Sequence, residues 1–432
     1  MSESEDWSDP LGKPAGRGYL PSQTKAGCGL QGWTPWVTGL FILLGAAFGY
    51  ALIATQKHLI SDEGFHAFQV WAIYTGDFSI LPNITMIPSY HAVLAAVARV
   101  TGVYSDLLSR FVTLAGSLSL PYVAYCMVRR QALLNGGLRV VQLFYFPLLF
   151  PLCFLIFTDA WTAAASLATC LLVLRGRGRL AGVAGLLAIL LRQDAAVWVG
   201  LAWVLLSLEG LELGQGFDWR RALRNGVVRG WPLLAVLLLF CVFVLWNKGV
   251  AVGDRKLQSG FNLTNAYMLL FCGWLFFLPQ NIVAVPCILQ QLLKPRVVLG
   301  LLLGFLFYMG TYSNTHQYNG EGMRFWLHNE MLYWPTKYLV VRVLVFIPIA
   351  WMVLTFSLTR LAESRFYWFY PVALVSAIAH PLIEPRYYLT SFFLFQLWRP
   401  EMDSRWEHAQ LLFYLLLAVI LIFGTATELF FI

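Results

Sequence analysis

WVTGLFILLGAAFGYALIA (Trp36–Ala54) and, six positions on, ISDEGFHAFQ (Ile60–Gln69) decide how this chain is read. The first segment is apolar and long enough, as a helix rising about 1.5 Å per residue, to cross the roughly 30 Å core of a bilayer. The second sets two adjacent carboxylates, Asp62 and Glu63, at the mouth of that run. Helical spacing puts Asp62, His66 and Gln69 on one face. One reading is structural: Ser61 and Asp62 cap a helix N-terminus, and its dipole favours Glu63. The other is a catalytic carboxylate held at a membrane surface.

The rest of the composition agrees with a membrane setting. The 432 residues are 59% hydrophobic, 16% aromatic and only 12% charged, and mean hydropathy is +0.66. Apolar runs recur without the alternation of barrel strands, which predicts an all-α polytopic membrane protein. The seven cysteines are scattered with no Cys-x-x-Cys, so neither zinc nor a disulfide framework is expected. Residues 1–35 are polar and rich in Gly and Pro, which reads as a disordered tail without a cleaved signal peptide, leaving 36–432 as one membrane domain.

Candidate spans are 36–54, 107–127, 138–157, 160–174, 180–192, 195–208, 231–247, 265–290, 297–312, 338–356, 366–383, 386–398 and 410–431. That is about thirteen (12–14) membrane helices. The run 88–102 is apolar but short and carries His91 and Arg99, so it is placed in the interface plane of the first loop. A cytosolic N-terminus then sorts the basic residues to one side, among them Arg129, Arg130, Arg139, Arg175, Arg177, Arg179, Arg365 and Arg399. The formal charge of +8 is therefore a topology signal that calls for membrane lipid and no nucleic acid as partner. The opposite side receives Asp62-Glu63, Thr158-Asp159, Arg192-Gln193-Asp194, Asp254-Arg255, the loop 313–337, Glu384-Pro385-Arg386, and the sequons at Asn83 and Asn262.

Polar motifs converging at one surface suit transfer of a sugar from a lipid phosphate. A carboxylate, Asp62 or Glu63, takes a proton from the acceptor hydroxyl, and cations hold the leaving phosphate. Arg192, Arg255 and Arg386 can pair bidentately with phosphate, although each also reads as an interfacial snorkelling residue. Asp159 is a second carboxylate or the N-cap of the span that follows it. No Asp-x-Asp and no metal-ligand spacing occurs, so no metal or other cofactor is expected.

The ordered set Ser61-Asp62-Glu63-Gly64-Phe65-His66, Phe157-Thr158-Asp159-Ala160, Leu191-Arg192-Gln193, Val252-Gly253-Asp254-Arg255 and Glu384-Pro385-Arg386-Tyr387 resembles the endoplasmic-reticulum α-1,2-glucosyltransferases that use dolichyl-phosphate glucose. That resemblance implies a GT-C glycosyltransferase fold with a luminal first loop. It also implies addition of the terminal glucose to the dolichyl-diphosphate oligosaccharide used in N-glycosylation. Carried over, Asp62 is the base with Glu63 beside it, and His66, Asp159, Arg192, Gln193, Asp254, Arg255, Glu384, Arg386 and Tyr387 contact substrate. This chain has Thr158-Asp159 where the family has Thr-Glu, and Asp194-Ala195 where an Asn is usual. The family's Asp-Asn-Arg-His-Tyr stretch is only partly matched in 313–330. A mannose transferase of the same fold is the first rival, and a lipid or sugar transporter the second, though no internal repeat points to one.

Overall fold

The computed structural model describes residues 33–56, 58–131, 133–211, 217–253 and 260–432. The tail expected over 1–35 lies almost wholly outside the described residues, as do Asp254 and Arg255. Where the chain is described it is helical, and the only bridge-type pairing there joins Trp326 to Phe431.

Helix α1 spans Pro35–Ala54, with Thr34 as N-cap accepting from the Val37 N–H. Its Gly45 and Gly49 lie one turn apart against Tyr145 and Phe154, with no room for a Cβ. That is the small-residue seam by which membrane helices approach closely. Its other face carries Trp36, Leu40, Leu43, Leu44 and Phe48, all exposed, as lipid-facing side chains should be. The first loop forms a parallel pair of short helices, α2 (Glu63–Thr75) and α3 (Ser89–Thr101), with His66 meeting His91 near their starts and Arg99 meeting Tyr74 near their ends. Each has 13 residues and is about 20 Å long, too short to cross a bilayer, so the expectation that 88–102 is not a span agrees with its length. Arg99 of α3 donates to the carbonyls of Ile73 (2.8 Å) and Tyr74 (3.0 Å), closing the C-terminus of α2. Next comes α4, Asp106–Arg130, which is long enough to span.

Among the described residues, four helices are long and apolar enough to cross a membrane, or six if two sharply bent pairs each count as one. The remaining expected spans are mostly shorter, and proline explains several. The run 138–157 divides into Gly136–Phe144 and the single turn Leu149–Leu152 around Pro147 and Pro151. The run 265–290 bends by 97° between Phe276 and Leu278, just before Pro279. Other short helices are internal. Every residue of Leu389–Trp398 is buried, and Asp159–Leu174 is mostly so, as expected of apolar helices too short to span. Phe146, Phe276, Phe392, Phe393 and Tyr414 pack their rings together between these helices.

Two arginines read as loop charges are instead buried. Arg399 donates to both Glu407 oxygens at 2.8 Å, and Arg139 reaches Glu407 at 3.2 Å and the carbonyls of Arg399 and Pro400 at 2.8 Å. Gln142 donates to the Glu407 carbonyl at 2.7 Å. One carboxylate thus pairs with two interior guanidinium groups and ties Ser404–Ala426 to Gly136–Phe144. Glu407→Ala should cost about 3–5 kcal/mol, the usual penalty for leaving buried charge unpaired. Thermal unfolding in detergent measures it, and a native midpoint would show that the cluster does not carry the fold.

Candidate functional site

The site begins with a strained turn. Ser61 has φ +53°, a left-handed conformation uncommon for a residue with a Cβ. Glu63 holds that turn. Its Oε2 accepts from the Ile60 N–H at 3.0 Å and from Arg110 at 2.6 Å. Its Oε1 accepts from Arg110 at 2.8 Å and from the Ile156 N–H at 3.0 Å. Arg110 also donates to the carbonyls of Ile53 at 3.3 Å and His58 at 3.1 Å. Both side chains are buried. This pair locks the end of α1, the start of α2, α4 and the turn before Phe157 into one unit.

Asp62 is thereby turned elsewhere. It stands at the N-cap position of α2 but makes no side-chain cap hydrogen bond, so the capping reading does not describe its carboxylate. Its carboxylate is about one-third exposed and, among the described residues, meets only the Arg386 guanidinium, at 3.4 Å. It opens on a cavity of about 330 Å³ that His66, Phe157, Asp159, Arg192, Glu384, Arg386 and Tyr387 also line. Glu63 does not line this cavity, and its oxygens are occupied. Glu63, expected as a base or alternate base, is taken up by Arg110 and two backbone N–H groups on the turn from which Asp62 projects.

Asp159 and Arg192 meet at 2.7 Å, and Arg192 also pairs with Asp194 at 2.9 Å. Asp159 is the first residue of its helix, not its cap, which is Thr158. Arg386 pairs with Glu384, lies over the Phe157 ring, and reaches Asp62. Burial raises the Glu384 pKa, against the lowering influence of Arg386. Tyr387 carries Arg192 above its ring and stacks on His380 at 4.1 Å. Two guanidinium groups and three carboxylates therefore share one small cavity, with Asp62 the least engaged carboxylate.

Gln193 lies beside this set, donating to the carbonyls of Val250 at 3.2 Å and Thr85 at 3.4 Å. It lines a second cavity of about 590 Å³, walled by apolar residues such as Phe240, Val244 and Phe261. Thr85, Met86, Arg192 and Tyr387 line both cavities. Of the Gly-Asp-Arg element only the glycine is described. Gly253 packs against the Pro82 and Ile84 carbonyls where no Cβ fits, and Val252 donates to Thr85 at 3.1 Å. That close approach requires glycine and sets Gly253 against Pro82, which lines the first cavity. Of the two sequons, Asn83 is exposed beside the cavity. Asn262 is buried, bonded to the Pro381 carbonyl at 3.1 Å and the Thr264 N–H at 2.9 Å.

Sequence reasoning left out Arg110, His91 and His328. A lone Arg inside an apolar span is itself a sign of a buried partner, and that signal was available. His328 lines the cavity with its Nδ1 unpartnered, and burial, helped by Arg386, holds its pKa down to about 3. In sequence it is one of several polar residues, with His316, Tyr318, Glu321, Arg324 and Glu330, crowded into the loop 313–337.

The chain matches the DIE2/ALG10 family over residues 56–214 and 214–397. It belongs to that family. It is 25% identical over 424 residues to the Dol-P-Glc:Glc(2)Man(9)GlcNAc(2)-PP-Dol alpha-1,2-glucosyltransferase of Rattus norvegicus, covering 83% of this chain and 86% of the relative. It is 24% identical over 418 residues to a human protein of that name, at 82% and 86% coverage. Among solved structures, ArnT from Cupriavidus metallidurans bound to undecaprenyl phosphate aligns with 91% of this chain and 78% of its own, at TM-score 0.44 and 15% identity.

The geometry separates the two adjacent carboxylates experimentally. Glu63→Ala should destabilise the chain by about 3–5 kcal/mol by stranding Arg110, whereas Asp62→Asn should move the thermal midpoint by no more than about 2 °C. Differential scanning of both variants in one detergent tests this, and equal midpoints would remove Glu63 from its positioning role.

Proposed function

We propose that this chain transfers glucose from dolichyl-phosphate glucose to the diglucosylated dolichyl-diphosphate oligosaccharide, forming the terminal α-1,2-linked glucose. The observation that carries this reading is the junction of the two cavities at Arg192 and Tyr387. An apolar chamber fits a polyprenyl chain, a charged chamber fits sugars, and a guanidinium at their boundary fits the phosphate between them. The names of the rat and human relatives support the same choice of donor and acceptor.

The reaction is one in-line displacement with inversion at the anomeric carbon. Asp62 takes the proton of the acceptor 2-hydroxyl as its oxygen bonds to that carbon. The bond from the carbon to the phosphate oxygen breaks, and dolichyl phosphate leaves with the electron pair against Arg192 and Arg386. Asp159, Asp194 and Glu384 hold those arginines in place between turnovers. The GT-C architecture, the endoplasmic-reticulum membrane, a cytosolic N-terminus and a luminal site complete the proposal, in keeping with the short paired helices of the first loop.

Asp62→Asn removes the base but keeps the side chain's shape, so transfer from labelled dolichyl-phosphate glucose should fall by roughly 10²–10⁴-fold with donor binding nearly intact. Near-native transfer by the folded variant would reject Asp62 as the base. Because guanidinium groups neutralise the leaving phosphate, transfer should also continue in EDTA. Loss on chelation with recovery on Mn²⁺ or Mg²⁺ would overturn that account. Complementation of a cell lacking the terminal glucosylation step, read by oligosaccharide mass, tests the choice of sugar and acceptor.

A further inference from the structure

His66 Nδ1 lies 2.9 Å from His91 Nε2, and both rings are buried. The rings are 7° from parallel with centroids 5.1 Å apart. A face-on stack cannot bring two nitrogens this close, because ring planes keep roughly 3.5 Å between them. The imidazoles therefore meet edge to edge, in the geometry of a direct N–H···N bond. One proton lies between the two nitrogens, and the question is which ring owns it.

The other nitrogens answer it. His91 Nδ1 is buried and, among the described residues, has no hydrogen-bond partner. If His66 donated to His91, a neutral His91 would carry its own proton on Nδ1, as a buried N–H with nothing to accept it. If His91 donates, Nδ1 is left as an unused lone pair. Orphaned buried N–H groups are the rarer and costlier of the two. His91 is thus the donor, and a neutral His66, whose Nδ1 accepts, carries its proton on Nε2. Nε2 is the polar atom His66 has left for the cavity its ring lines.

We infer that His91 is a positioning residue that fixes His66 as a neutral hydrogen-bond donor, Nε2–H, to a sugar or phosphate oxygen of the bound substrates. Burial keeps both rings uncharged: it holds His91 down to about 3, and it lowers His66 well below the ordinary value, with further lowering from His91, Arg386 and Arg192. In this tautomer His66 has no lone pair facing the cavity and cannot take the acceptor proton, which leaves that role to Asp62. The identity of the oxygen rests on the proposed function. The tautomer does not.

Two measurements separate these. In the full-length chain, labelled with ¹⁵N-histidine and solubilised in detergent, the ring ¹⁵N signals that change on His91→Leu identify His66. They should report an Nε2–H tautomer at neutral pH. An Nδ1–H form or an imidazolium would overturn the inference, and this reading needs no activity. In transfer assays varying donor and acceptor separately, His91→Leu should raise KM for one of them by about tenfold, the worth of one hydrogen bond, with kcat changed less. His91→Gln, whose amide N–H can replace the donor, should recover most of that loss. The substrate whose KM rises is the one that holds the oxygen. Equal loss in both variants, confined to kcat, would also overturn the inference. An Nε2–H His66 in a chain that transfers no glucose counts against the proposed function and for the tautomer.

Discussion

The Glu63–Arg110 pair is the constraint on which the site depends. Removing a carboxylate and a guanidinium from water is expensive, and their attraction offsets that cost only when the remaining donors and acceptors are satisfied. Here they are: Glu63 accepts two backbone N–H groups besides Arg110, and Arg110 reaches carbonyls at the end of α1 and in the following turn. The pair has one good geometry, and that geometry fixes four pieces of chain together. It also explains how Ser61 stays in a left-handed conformation, since the Ile60 N–H on one side and Glu63 on the other are both held. Asp62, between them, projects away from the pair and into the cavity. A carboxylate that must meet a substrate oxygen gains accuracy from a neighbour that never touches the substrate.

The membrane character and most helix positions were legible because apolar runs and their flanking charges are local properties. Length was less so. A run such as 160–174 is apolar whether its helix faces lipid or other helices, and only packing separates the two. Proline in 138–157 and 265–290 predicted breaks that a count of spans ignored. Arg139 and Arg399 show the limit of charge sorting. From the sequence each is a basic residue between spans, while in the fold each is buried on Glu407, 268 and 8 residues away in the chain.

Much of the candidate site was legible too, because polar residues at the ends of apolar runs have few other reasons to be there. Asp62, His66, Asp159, Arg192, Glu384, Arg386 and Tyr387 do line one cavity. Roles were harder to read than membership. Asp62 and Glu63 are adjacent and chemically alike, and their difference comes from Arg110, 47 residues on. His91 escaped for a similar reason: its importance lies in what it bonds to, and His66 is 25 residues away.

The cavity's charge balance links these points to mechanism. Arg192 and Arg386 are screened by Asp159, Asp194, Glu384 and Asp62. Three of those carboxylates hold on through short contacts. Asp62 holds at 3.4 Å with about a third of its side chain exposed, so it is the partner most readily exchanged for an incoming anion. In the proposed reaction a phosphate approaching Arg386 takes the place that Asp62 half occupies, and the released carboxylate turns to the acceptor hydroxyl. The other carboxylates keep the arginines aimed, so little reorganisation remains for the moment when charge develops on the leaving oxygen. Donor binding and activation of the base are then the same electrostatic event, transmitted through one guanidinium group.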